Sequence, residues 1–157
     1  MRIDLIRHGE ALAVAVGVSD DARPLSARGA ADIERLGRRL GAGWRPDQVF
    51  ASPLRRARES AVLLLRGAGV EIPIRTMREL DPSVGTSEDV IEVLAEAGTA
   101  GHLVLIGHQP LLGRLAYVLA GTETPFAPAA IVTLEGSEPV APGAYHVVSV
   151  LAPGAGY

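Results

Sequence analysis

The chain has 157 residues, 48% hydrophobic and 21% charged, with 15 basic against 18 acidic side chains and no cysteine. That length and composition suit one globular domain, read as 1–157, and exclude disulfide frameworks, thiolate metal sites and cysteine nucleophiles. All the basic residues are arginine, so lysine-dependent P-loops and Schiff-base chemistry are excluded too, and a net charge of −3 argues against a nucleic-acid surface.

Arg2 to Ile6 reads as a short strand stopped by Arg7-His8-Gly9-Glu10. The apolar stretch Ala11 to Val18 that follows falls far below the roughly 18–20 residues a membrane span needs. The charged residues before it also interrupt any signal-peptide pattern, so the expected location is the cytoplasm, with no membrane partner. Its apolar side chains are expected either beneath the next helix or on an exposed rim beside the site. Ser19, Asp20, Asp21 and Pro24 break the chain, and Ser26 then caps a helix carrying Ile33, Leu36 and Leu40, ending near Gly41 or Gly43.

Gln48 to Ala51 is a second strand. Ser52 is expected as the cap of the next helix, with Pro53 at its first position and Ala57, Ala61, Leu64 and Leu65 on one face. Ile72 to Met77 suits an edge strand, and Ser87 opens a helix through Val90, Ile91 and Leu94. Leu103 to Ile106 is a continuous apolar run, as in a strand covered on both faces, and it ends at Gly107-His108-Gln109-Pro110. A helix through Leu112, Leu115, Ala116 and Leu119 follows. Ala130 to Leu134 and Tyr145 to Leu151 are then expected to pair as an antiparallel hairpin. Strands alternating with helices predict a three-layer α/β/α sandwich with a mostly parallel central sheet.

Three runs sit where strands end: Arg7-His8-Gly9-Glu10, Ser52-Pro53-Leu54-Arg55-Arg56-Ala57 and Gly107-His108-Gln109-Pro110. Ligands of open α/β sheets collect beyond the carboxyl ends of the strands, and two histidines with several arginines there make an anion site. In a shuffle of this composition the tetrapeptide RHGE is expected only about 0.003 times.

These runs carry a resemblance. Leu5-Ile6-Arg7-His8-Gly9-Glu10, Ser52-Pro53-x-x-Arg56-Ala57-x-x-Ser60 and Gly107-His108-x-Pro110 resemble the three signatures of the histidine phosphatase superfamily, the phosphoglycerate mutase-like fold. Arg23-Pro24-Leu25-Ser26 followed by Gly29 also fits the segment before its first helix. The chain is most similar to the short bacterial phosphohistidine phosphatases of the SixA type. The resemblance implies His8 as nucleophile and Arg7, Arg56 and His108 as the other phosphate-binding residues. It also makes Glu79 the best candidate for a general acid, because related enzymes carry a carboxylate near that point.

The chemistry of these residue types agrees. A neutral imidazole can attack phosphorus through one ring nitrogen when the other is held in the right tautomer. Guanidinium forks suit the equatorial oxygens, and neither a metal nor another cofactor is required. Arg55 and Arg58 lack the spacing of Arg56, and His102 and His146 are expected to be structural or on the surface. Glu10 is expected to fix the loop.

The first expectation for substrate is a phosphorylated histidine-containing protein. About 46 residues separate Ser60 from Gly107, too few for an elaborate lid. The alternative is a small phosphorylated substrate handled by a phosphomonoesterase or mutase. In either case phosphate or sulfate would fit the pocket.

Overall fold

A computed structural model describes residues 1–98 and 101–154. Six strands form one sheet: β1 (Arg2–Arg7), β2 (Gln48–Ala51), β3 (Ile74–Thr76), β4 (His102–Gly107), β5 (Ile131–Gly136) and β6 (Tyr145–Leu151), in the spatial order β3-β2-β4-β1-β5-β6. Strands β3, β2, β4 and β1 run parallel, whereas β5 pairs antiparallel with both β1 and β6. The sheet is therefore mostly parallel, with the expected hairpin at one edge and β3 at the other.

Among the described residues, four α-helices cover the sheet: α1 (Ala27–Leu40), α2 (Arg55–Ala68), α3 (Ser87–Glu96) and α4 (Leu111–Ala120). Side chains alternate across a strand, and here the alternation divides the core in two. Ile3, Leu5, Leu103 and Leu105 pack with Val90 and Leu94 of α3 and Leu112 and Leu115 of α4. Ile6, Val104 and Ile106 pack on the other face with Ile33 and Leu36 of α1 and Ala57, Ala61 and Leu64 of α2. This is the three-layer sandwich.

Local chemistry sets the helix ends. Ser26 Oγ accepts the Gly29 amide at 3.0 Å at the start of α1, and Gly41 closes that helix with φ 66°. The left-handed backbone there favours glycine. A reciprocal capping box of Thr86 and Asp89 starts α3.

The start of α2 differs from expectation. The helix begins at Arg55, with Leu54 at the cap position and no side-chain cap. Ser52 Oγ instead accepts the Leu54 amide at 3.3 Å and pairs with His108 Nε2 at 2.8 Å. The hydroxyl makes a tight local turn and reaches the site, so it is not spent on the helix.

The segment after β1 resolves the two expectations for its apolar residues. Leu12, Val14, Val16 and Val18 are exposed. An isolated bridge between Ala11 and Leu25 and the Leu12 amide on the Pro24 carbonyl tie this segment down as a strap. No helix among the described residues is long and apolar enough to cross a membrane.

Candidate active site

The carboxyl ends of β1, β2 and β4 converge, bringing together three of the sequence runs. Arg7 ends β1, Ser52 follows β2 and His108 follows β4. The His8 amide donates to the Gly107 carbonyl at 3.1 Å, so the two histidine loops are joined through their backbones. The imidazoles of His8 and His108 lie 4.9 Å apart between ring centroids.

Position 9 must be glycine for a packing reason. A Cβ there would lie 2.5 Å from the Gly29 carbonyl oxygen, and one on Gly29 would lie 2.1 Å from that of Glu10. The loop after β1 and the first turn of α1 meet backbone to backbone, at a distance no larger residue permits. The Glu10 side chain is exposed, and its backbone carbonyl accepts the Ser26 amide at 2.9 Å.

His8 is held in one tautomer. Its Nδ1 lies 2.6 Å from the Gly9 carbonyl oxygen, which can only accept, so Nδ1 carries the proton and Nε2 keeps its lone pair. Burial pushes the His8 pKa down to about 4, with the nearby guanidinium groups of Arg56, Arg7 and Arg23 adding to the shift. The ring is neutral at pH 7. His108 is pushed down to about 3, again chiefly by burial and then by His8 and Arg56.

The arginines are anchored through backbone oxygens. Arg7 Nη1 donates to the Phe126 carbonyl at 2.7 Å, and Arg56 Nη1 to the Asp20 carbonyl at 2.9 Å. Ser60, one turn beyond Arg56, accepts the Gly9 amide at 3.1 Å and donates to the Arg56 carbonyl at 2.7 Å. The spacing from Arg56 to Ser60 thus places a cation and a clamp for the nucleophile loop on the same helix.

Among the described residues, the buried side-chain polar atoms without a partner are Arg7 Nε and His108 Nδ1. Buried polar atoms are nearly always satisfied, and both exceptions belong to this cluster. An anion with several acceptor oxygens could satisfy both.

Glu79 makes no hydrogen bond with either histidine among the described residues, and its part as a general acid stays a proposal. It sits half-buried in a 3₁₀ turn, Arg78–Leu80, beside a separate cleft shared with Val84, Asp89 and Glu92. The carboxylates whose charge acts on His108 are those of Asp81 and Asp20. Arg55 points away, paired with Glu59 at 2.6 Å on the helix surface. His102 binds the buried Asp4 at 2.6 Å, and His146 is exposed on β6. Among the described residues no group of three or more His, Asp or Glu side chains could hold a metal ion.

Asp20 and Ser52 are the site residues that sequence reasoning missed. One was read as a loop breaker and the other as a helix cap.

A family model, the histidine phosphatase superfamily (branch 1), matches residues 3–97. The chain belongs to this superfamily. It is 33% identical over 127 residues to an uncharacterized protein of Picosynechococcus, covering 79% of this chain and 76% of that one. The structure of the protein histidine phosphatase SixA complexed with tungstate is 26% identical, covers 98% of this chain and 97% of its own, and superposes with a TM-score of 0.86. The alpha-ribazole phosphatase of Shigella flexneri shares the fold at 20% identity and a TM-score of 0.74, covering 97% and 96% of the two chains. This superfamily member is a phosphatase, and its fold is that of the phosphoglycerate mutase-like enzymes.

Proposed function

We propose that the protein is a phosphohistidine phosphatase that removes the phosphoryl group from a histidine of another protein in the cytoplasm. The observation that carries the reading is the His8–Gly9 bond, which leaves a neutral imidazole with its Nε2 lone pair beside two arginines. Likeness to SixA across nearly the whole chain supports the substrate class.

In the proposed reaction, His8 Nε2 attacks phosphorus while the bond from phosphorus to the substrate nitrogen breaks. The leaving imidazole takes up a proton from solvent as it departs. Arg7, Arg56 and His108 hold the phosphoryl oxygens, with Arg7 Nε and His108 Nδ1 supplying the unpartnered groups. Water then attacks phosphorus on the phosphorylated His8 as the bond to Nε2 breaks, its proton passes to solvent, inorganic phosphate leaves, and the imidazole regains its Nε2 lone pair. His8 performs the nucleophilic step, and the arginines stabilise charge as it spreads over the equatorial oxygens.

A nitrogen leaving group that can be protonated demands less of a general acid than an alkoxide does. That suits a cluster whose polar groups are chiefly histidine and arginine. Glu79 keeps a proposed role only for ester substrates, and Glu79→Gln should therefore leave phosphohistidine turnover largely intact.

The test is to trap the intermediate. Brief exposure to a phosphohistidine protein, then denaturation without acid, should leave an acid-labile phosphoryl group on His8. His8→Ala should show neither label nor turnover. An active alanine variant would overturn the mechanism, and faster turnover of a sugar or nucleotide phosphate than of the phosphoprotein would overturn the substrate.

A further inference from the structure

Arg56 is buried, yet its guanidinium is gripped from outside its own helix. Asp20 lies in a short 3₁₀ turn, Asp20–Ala22, on the strap that follows the nucleophile loop. Its backbone carbonyl accepts Arg56 Nη1 at 2.9 Å, and its Oδ2 accepts Nη2 at 3.2 Å. The other carboxylate oxygen, Oδ1, accepts Arg23 Nη1 at 2.9 Å, and Arg23 Nε donates to the Leu12 carbonyl at 2.7 Å. One residue therefore joins two arginines, both of whose charges act on His8, to the strap.

This arrangement carries an apparent cost. A carboxylate beside an anion site repels the anion, and Asp20 is 58% exposed at its side chain, so it is not there to fill the core. What it supplies is orientation. An arginine side chain loses considerable rotamer entropy when fixed, and a fork already aimed loses less on binding. A guanidinium has five N–H groups; Asp20 engages two, leaving three for phosphoryl oxygens.

We infer that Asp20 is a positioning residue for phosphoryl binding, holding the Arg56 guanidinium so that its remaining N–H groups face the transferred group. The inference rests on the reading of this cluster as a phosphoryl site, but not on which phosphorylated substrate is used.

Asp20→Ala, Asp20→Asn, Arg56→Ala and the double variant Asp20→Ala/Arg56→Ala separate the possibilities. The readouts are competition by vanadate, turnover of a small phosphoramidate and the melting temperature. The backbone carbonyl of residue 20 remains in every variant, so Asp20→Ala should weaken vanadate binding and lower turnover by about tenfold, not abolish them. Asp20→Asn keeps an accepting oxygen and should recover most of the loss. In the Arg56→Ala background, Asp20→Ala should cost nothing more, because there is no guanidinium left to hold. Melting temperatures of the Asp20 variants should match wild type.

Vanadate bound as tightly or more tightly by Asp20→Ala would overturn the inference, since the carboxylate would then only obstruct the fork. Independent, multiplying losses in the double variant would overturn it as well. Wild-type protein that vanadate does not inhibit would remove the phosphoryl reading itself, and this inference with it.

Discussion

The rings of His8 and His108 face each other at 4.9 Å with their planes tilted by 55°, and neither carries a proton charge at neutral pH. His108 is buried and His8 half-buried, each lies near Arg56, and a charge on His8 would further oppose one on His108. The pair is therefore kept as one nucleophile and one hydrogen-bonding partner instead of two imidazolium ions.

A pH titration should show this directly. His8 has its folded-state pKa lowered to about 4 from the ordinary value near 6.5, so the neutral, attacking form persists down to about pH 4 and is lost below it. Nuclear magnetic resonance of the ring protons in the ligand-free protein should give a midpoint near 4 for His8, and Arg56→Ala should raise it. A midpoint near 6.5 would contradict the burial that sets the shift.

Arginine substitutions should divide sharply. Arg7→Ala and Arg56→Ala should each reduce turnover by about 10²–10³, the usual loss for one charge-stabilising donor. Arg55→Ala removes only a surface pair with Glu59 and should change turnover little. Steady-state rates on one substrate suffice, and an indispensable Arg55 would contradict the orientation of α2.

Chelation should leave activity intact, because the proposed chemistry uses only imidazole and guanidinium groups. Phosphate, sulfate and vanadate should compete with substrate, the last most strongly if it adopts the geometry of the transition state. Activity restored only by added metal would refute the proposed site.

Polar replacements on the strap should not unfold the protein. Val14 and Val16 are already exposed, so Val14→Asn and Val16→Asn should each alter stability by no more than about 0.5 kcal/mol. If a protein substrate rests on this rim, the same changes should weaken turnover of a phosphoprotein and spare a small phosphoramidate. Equal effects on both substrates would show that the rim takes no part in recognition.

At the opposite end of β1, Asp4 should govern stability and not activity. Its buried carboxylate accepts hydrogen bonds from Trp44 at 2.7 Å and Thr133 at 2.7 Å and pairs with His102. Burial opposes the charge, yet these bonds outweigh it and hold the pKa below the usual value. A depressed folded pKa contributes stability above the unfolded value, and this is lost as pH falls toward the folded one. Asp4→Ala, which strands several buried partners, should cost about 3–5 kcal/mol in denaturant unfolding.

The strands and helices were legible because their apolar residues repeat at the periods that burial demands. Leu103 to Ile106 and the stripe of Ala57, Ala61 and Leu64 announce their elements without help. His8, Arg56 and His108 were legible because each follows a strand end in an unusual combination. Asp20 was not, since a turn residue and a ligand for an arginine look alike until the strap folds back over α2. Nor was the hold of the Phe126 carbonyl on Arg7, because a backbone acceptor leaves no side-chain signature. Ser52 failed in a subtler way. Its position before a helix is right for a cap, and only the arrival of β4 brings His108 to compete for the hydroxyl.

Helix α2 both carries Arg56 and, through Ser60, grips the amide of Gly9. Four residues of helix rise separate those two duties, about 6 Å of the stiffest secondary structure available. The cation and the clamp on the nucleophile loop therefore share one rigid element, and the spacing between them is set by the helix itself and not by how the helix packs on the sheet.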